Sequence, residues 1–452
     1  MSSHFTVRAR RTLPLTLVLA ASLGAQGAPQ PLRLTLAGAA QRAREQSLAV
    51  IGSNVRASQV EARVHQRRAD LLPSLSGIAE ANSRTFNTAT LGIDFPTPAG
   101  QEPFFDPRGE VLGPVPTSDV RARVAQNIYD GAAIARLRLA RQQGSAARKE
   151  SDQVGAAAAT QAAVAYVRVQ RAEAVFEARA ADSTLAADLL RIARETLRAG
   201  TGVALDVTRA ESQLVGIRSQ LIGARVERDK ARLDLRRAIN VDLDQPITIA
   251  DPLDGGEIDV PAERLALTTA ERLRPELVVV NEQLQSATLA ARAIHAERLP
   301  TVTAVADNGF IGKKIGNNML NTWTWALRVS VPVFEGGRRQ ARENEQGFVA
   351  QELATRRSDL LAQVNVDVRS ALLDAASASE AVAAAQERAR LAEQEVAQSR
   401  DRFTAGVSGN LDVTSALLGL STARTQLIDA LANRQLARIS IARSQGAISS
   451  LR

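Results

Sequence analysis

The chain repeats itself, and the length of the repeat limits the folds open to it. The segment AGTGVALDVT (Ala199–Thr208) recurs as AGVSGNLDVT (Ala405–Thr414), and RSQLIGA (Arg218–Ala224) recurs as RTQLIDA (Arg424–Ala430), both at an offset of 206. IYDG (Ile128–Gly131) recurs as VFEGG (Val333–Gly337) at an offset of 205, and LLP (Leu71–Pro73) as RLP (Arg298–Pro300) at 227. A period this long is not a short stacked unit, so half of the protein is duplicated as a whole. Each half is expected to run helix, strand, loop, strand, very long helix, Gly turn, helix.

Long helices are expected where helix-like sequence runs without Pro. Gly131–Ala199 and its counterpart Gly337–Ala405 contain none, and at about 1.5 Å per residue each would reach roughly 100 Å. In the second, the series Leu361, Val364, Val368, Ala371, Ala375, Ala378, Val382, Ala385, Ala389, Ala392, Val396 alternates steps of three and four. That 3.5-residue period calls for a left-handed supercoil against another helix, and Ala knobs let the axes approach closely. In the first half the same face reads Ala158, Ala162, Ala165, Val169, Ala172 and Phe176. Arg179 and Ser183 then interrupt it before Ala186 and Leu190 resume. Each long helix stops at a Gly turn, Gly200–Gly202 or Gly406–Gly409, as expected where a helix ends in a left-handed residue. A second helix returns antiparallel, to about Ile239 or Gln445.

Strand-like segments sit at the other end of each long helix. In WTWALRVSVPVF (Trp323–Phe334), Trp323, Trp325, Leu327, Val329 and Val331 alternate with Thr324, Ala326, Arg328 and Ser330. The apolar face of such a run, with aromatics at its ends, is patterned like a transmembrane β-strand. Asp119–Tyr129 alternates similarly, and Ser74–Arg84 and Thr301–Phe310 supply weaker partners. The first pair is joined by the Pro/Gly-rich loop Phe86–Thr117 and the second by the shorter Ile311–Asn321. Trp323, Trp325, Phe334 and Tyr129 are placed like membrane-interface aromatics. Four strands cannot close a barrel and open edges are not tolerated in lipid, so a membrane location requires oligomerisation. The alternative is a small soluble sheet capping a coiled coil. The Trp-x-Trp alternation favours lipid.

Composition supports this reading. The 452-residue chain is 3% aromatic and has no Cys, so its helices are expected to pack closely through Ala, without disulfides. The start resembles a secretory signal, with Arg8, Arg10 and Arg11 before the apolar Leu13–Ala25 and a small-residue cleavage site at Ala25-Gln26-Gly27. The formal charge of +8 is spread over Arg interleaved with Glu and Asp on helices, a solvated pattern rather than a nucleic-acid footprint. His4, His65 and His295 are scattered, so no metal site is expected. No phosphate-binding loop or nucleotide fingerprint occurs. Neither catalysis nor a cofactor is expected. The expected organisation is a signal peptide at 1–27, a first repeat at 28–240, a linking segment at 241–274 containing Pro246, Pro252 and Pro261, and a second repeat at 275–452.

The run SVPVFEGGRRQ (Ser330–Gln340), the paired AG tips followed six residues later by Asp, the duplication and the signal together resemble the TolC-type outer-membrane efflux proteins over essentially the whole mature chain. The fold the resemblance implies is mainly α with a membrane β-barrel contribution. Long antiparallel coiled-coil hairpins would form a periplasmic α-barrel, and four strands per protomer would complete a twelve-stranded β-barrel in a homotrimer. The function implied is a passive outer-membrane exit channel of a tripartite efflux or type I secretion system. It would be engaged by a periplasmic adaptor (membrane fusion protein) and an inner-membrane pump, with outer-membrane lipid around the barrel and no nucleic-acid partner. The competing class is a periplasmic coiled-coil spacer without a conducting barrel.

The resemblance also assigns residues. Asp412 matches a constriction carboxylate of the family, while Ser415 and Ser408 stand where the family has its second constriction Asp and a tip Arg. Asp206 is the repeat counterpart of Asp412. Both Asp residues would equally suit the first turn of a helix, where the dipole favours them. Gly200, Thr201, Gly406 and Val407 are the tips, set by turn geometry and, in the family, by contact with the adaptor. Arg123 and Arg328 occupy equivalent strand positions on the polar face. They are expected either to line the lumen or to pair with carboxylates there.

Overall fold

The computed structural model describes residues 31–91, 100–101, 109–254 and 256–448; the expected signal peptide lies outside them. The elements in order are β1 (Leu32–Leu34), α1 (Leu36–Gln46), α2 (Leu48–Ala69), β2 (Ser74–Asn87), β3 (Val111–Asp130), α3 (Gly131–Arg198), α4 (Ala204–Ala238), β4 (Ile247–Ile249), α5 (Glu263–Leu273), α6 (Pro275–His295), β5 (Thr301–Gly312), β6 (Leu320–Ser330), α7 (Arg338–Thr404) and α8 (Asn410–Ser444). The two Pro-free stretches form helices of 68 and 67 residues. The first starts straight out of β3, where Asp130 accepts a hydrogen bond from Ala133 N at 2.8 Å.

The apolar series of the second long helix forms a buried seam. Val364, Val368, Ala371, Ala375, Ala378, Val382, Ala389, Ala392 and Val396 are buried, with Leu361 and Ala385 half-buried. The long helices and their return helices lie in a row, α4–α3–α8–α7, with α3 against α8 joining the two halves. At the middle of the molecule α1 and α2 pack on α3, α5 packs on α7, and α6 lies against both α3 and α7. No helix among the described residues is long and apolar enough to cross a membrane.

The strands form an antiparallel sheet in the order β2-β3-β5-β6. The β2–β3 hairpin is longer than the sequence suggested, for pairing extends to Asn87↔Val111 and shortens the expected Phe86–Thr117 loop. Pro114 and Pro116 hid it. They are tolerated because β5 stops at Gly312, opposite Ser118, which leaves that part of β3 paired on one side only. The opposite correction applies to β6, which ends at Ser330 rather than Phe334. Pro332 has no N–H to continue a ladder, and Phe334 falls in the irregular segment before α7. A second sheet, two three-residue strands with β1 parallel to β4, was not anticipated.

Candidate functional site

The site builds up from the free ends of the two hairpins. Gly200 has φ 74° and Gly406 φ 71°, both left-handed. Gly200 N donates to the Leu197 carbonyl at 3.1 Å and Thr201 N to that of Thr196 at 3.1 Å. Gly406 and Val407 repeat this pattern onto Phe403 and Arg402, at 3.0 and 2.9 Å. Open space surrounds both glycines, so the backbone angle, not crowding, calls for Gly here. Gly200, Thr201, Gly406 and Val407 are all exposed.

Beneath the turns the two hairpins share one core. Ala186, Leu189, Leu190 and Ala193 of α3 meet Ala210, Leu214 and Ile217 of α4, Phe403 at the end of α7, and Val413 and Leu417 of α8. Asp206 and Asp412 each sit in the first turn of their helix, and neither helix has a side-chain cap. Dipole stabilisation thus applies to both, without a capping hydrogen bond. Asp206 is half-buried and Asp412 exposed. Ser415, also exposed, lies three residues on from Asp412, on the same helix face.

Higher up, the interrupted stripe has an explanation. Asp182 of α3 is fully buried. It accepts from Arg179 Nη1 at 3.2 Å and from Arg424 Nη1 of α8 at 3.2 Å. Arg179 also donates to Ser421 and, at 2.9 Å, to Thr425. The break in the apolar face is therefore a polar clamp between the halves. At the middle of the molecule the buried Tyr166 hydroxyl bonds the Leu34 carbonyl at 3.0 Å and Asp251 Oδ2 at 3.1 Å. Burial pushes this phenol well above the ordinary tyrosine range.

The four-stranded sheet has one polar and one apolar face. On the polar face Arg121 donates to Asp119 through Nε at 2.8 Å and to Asp307 through Nη1 at 3.0 Å, while Arg123 reaches Asp307 at 3.4 Å. Gly309 sits beside Arg121, where a Cβ would come within 2.3 Å of the Arg121 Cβ. Of the two expected arginines, Arg123 is thus ion-paired, whereas Arg328 has no ion-pair partner among the described residues. The apolar face carries Leu75, Val120, Val124, Phe310, Trp323, Trp325, Leu327 and Val329, all exposed in the single chain. A register shift between Asn127 and Tyr129 brings Tyr129 opposite Val302 on this face.

No catalytic constellation forms among the described residues. Among the described residues no group of three His, Asp or Glu could hold a metal ion, and His295 only approaches Glu343 at 3.4 Å. Sequence reasoning missed Asn410, Asp182, Arg121 with Asp307, and Tyr166. The signal that could have found two of them is departure from the repeat. The counterpart of Asn410 is Ala204, and that of Asp182 is Arg388.

Comparison with known proteins agrees with this architecture. The outer membrane efflux protein family model matches residues 39–241 and 266–447. No curated protein matches the sequence. Among solved structures, the Campylobacter jejuni CmeC outer membrane channel superposes with a TM-score of 0.74 at 14% identity, covering 91% of this chain and 85% of that one. The Vibrio cholerae outer membrane protein VceC gives 0.70 at 16%, covering 91% and 96%. The open state of the Neisseria gonorrhoeae MtrE outer membrane channel gives 0.70 at 19%, covering 91% and 88%.

Proposed function

The chain belongs to the outer membrane efflux protein family, and on that footing we propose that three copies assemble into an exit duct that meets a periplasmic adaptor and an inner-membrane pump at its hairpin tips. The family places the protein in the outer membrane as the exit of an efflux system, with its helical part in the periplasm. The observation that carries the assembly is that both layers end in open edges. The helix row ends at α4 and α7, and the sheet ends at β2 and β6. Along α4, Val215, Ile222, Val226 and Leu233 repeat at steps of seven, four and seven, and all four are exposed. α7 leaves Val366, Leu373 and Leu391 uncovered. A sheet in lipid has to close, and joining β6 of each copy to β2 of the next closes it, with twelve strands for three copies.

In this reading the apolar sheet face meets outer-membrane lipid, with Trp323, Trp325, Tyr129 and Phe334 near the interfaces. Arg123 and Arg328 face the lumen. Asp412, with Ser415 on its face and Asp206 on the neighbouring hairpin, rings the periplasmic entrance. Gly200, Thr201, Gly406 and Val407 are the end-on surface offered to the adaptor. The duct performs no reaction, and the energy comes from the pump. A soluble spacer would leave the whole apolar face in water, a patch that monomeric proteins avoid. The deciding experiment is extraction of outer membranes in mild detergent. A heat-modifiable trimer that conducts in planar bilayers is expected; a monomer without conductance would overturn the proposal.

A further inference from the structure

We propose that the sheet closes between copies in one particular register, with Arg328 on β6 of one copy opposite Glu80 on β2 of the next. This inference rests on the trimeric duct and adds the pairing that seals it.

β2 and β5 correspond at an offset of 227, as LLP and RLP do, and β3 and β6 at 205, as IYDG and VFEGG do. Those offsets belong to the flanking motifs, yet they reproduce the hairpin registers. Ser74 pairs with Ala125 in the first hairpin, and their counterparts Thr301 and Ser330 pair in the second. The two hairpins are therefore structural equivalents, residue for residue.

Within one chain the hairpins join through β3 and β5, where Arg123 lies opposite Asp307. The equivalent of β3 is β6 and the equivalent of β5 is β2. The junction between copies, β6 against β2, is thus the repeat image of a junction already formed. The image of Arg123 is Arg328, and the image of Asp307 is Glu80. The Arg–carboxylate pair is kept, with Glu in place of Asp. Inside a chain the pair is made, Arg123 Nη2 to Asp307 Oδ2 at 3.4 Å. Among the described residues of the lone chain, Arg328 is exposed without an ion-pair partner, and exposed Glu80 accepts only from Asn82, at 2.8 Å.

The side-chain parity agrees. Glu80 lies opposite Asp119, on the face of Arg121 and Arg123, and Arg328 shares that face through Thr303 and Asn127. The same register sets Trp325, Leu327 and Val329 against Ser83, Ala81 and Ala79, small residues that leave room for large neighbours on the apolar face. A slip by one residue would set Arg328 against Ala79 or Ala81 on the lipid side, the alternative that a membrane sheet penalises most.

The native chain has no thiol, so paired cysteines report the register directly. Directly opposite residues hold their Cβ atoms about 4.5–5.5 Å apart, within disulfide reach, whereas diagonal neighbours two residues off lie about 7–8 Å apart. Glu80→Cys with Arg328→Cys, oxidised with copper phenanthroline in outer membranes, is expected to give covalent dimers and trimers on non-reducing gels. Each single variant should give none, and Glu80→Cys with Ser330→Cys at least about fivefold less, being diagonal. A second test is charge exchange: Arg328→Glu should lower the dissociation temperature of the trimer, and adding Glu80→Arg should restore it. A conducting trimer that cross-links better at the offset pair, or not at all at Glu80 and Arg328, overturns the register and leaves the duct standing. Absence of any trimer in the unmodified protein overturns the duct and the register together.

Discussion

Asn410, the first residue of α8, donates its side-chain amide to the main-chain carbonyl of Asp206 in the first turn of α4, at 2.9 Å. Asn410 is 1% exposed, and the bond ties the tip of one hairpin to the tip of the other. Both hairpins share a core at this end, and this bond adds a direct polar link between the first turns of α4 and α8. Asn410→Ala should cost about 1 kcal/mol, the usual net worth of such a bond. Its larger consequence should be a looser entrance. Single-channel recordings are expected to show higher or noisier conductance than the native protein, and native-like traces would show that the tips are held by apolar contacts alone.

The exposed carboxylate of Asp412 bears on selectivity. If three copies ring a narrow entrance, they favour cations, as charged rings do in pores. Asp412→Asn should reduce cation preference in planar-bilayer reversal potentials, and Asp206→Asn, at a half-buried position, should change it less. Should Asp412 serve only the helix dipole, both variants would instead lose about 0.3–1 kcal/mol of stability with unchanged selectivity.

The clamp at Asp182 should be felt in stability. Asp182→Ala leaves Arg179 and Arg424 facing each other without their shared anion. Removing one partner of a fully buried pair costs about 3–5 kcal/mol. Both arginines keep some contact with water, so about 2–4 kcal/mol is expected here. Asp182→Asn, which keeps the shape, should lose less. Thermal dissociation of the two variants makes the comparison, and equal losses would mean that the charge, which both variants remove, carries the whole effect and the retained shape none of it.

Close packing makes the helix seam intolerant of added volume. Ala375 is fully buried beside Ala371, Ala378, Ala437 and Ile441. Ala375→Leu should cost about 1–3 kcal/mol per copy through overpacking, whereas Gln386→Leu, at an exposed position of the same helix, should be nearly neutral. Melting temperatures of the two proteins measure the difference, and equal values would contradict the seam.

Tyr166 predicts an alkaline limit. Its phenol is raised by burial, so the folded chain holds the proton at a pH where the unfolded chain, ionising near pH 10, releases it. The contribution is complete below about pH 10 and is lost as pH climbs above it. Tyr166→Phe should cost about 1–3 kcal/mol at neutral pH, because the Leu34 carbonyl and Asp251 lose a donor. It should also flatten the fall in stability between about pH 9.5 and 11, read from melts across that range. An unchanged alkaline slope would assign the limit to other groups.

The elements and their repetition were legible in local sequence pattern. Two long stretches of helix-like sequence without Pro run as helices, an unbroken 3.5-residue apolar series calls for another helix to meet it, and a Gly at each end turns the chain back. These are local properties, written within a few turns of backbone. The alternation in Trp323–Val329 likewise marks a strand with one apolar face. What the sequence could not give is how the halves meet. Arg179 reads as a flaw in a stripe until Asp182 and Arg424, 242 residues apart, close around each other. Pro114 and Pro116 read as loop until the neighbouring strand is seen to stop short of them. Tyr166 gains its partners only when β1 lies beside β4. Each of these depends on residues distant in the chain, whose desolvation forces polar groups to find one another. The repeat fixes what each half is, and the departures from it, as at Asn410 and Asp182, acquire meaning only where tertiary structure brings unlike halves together.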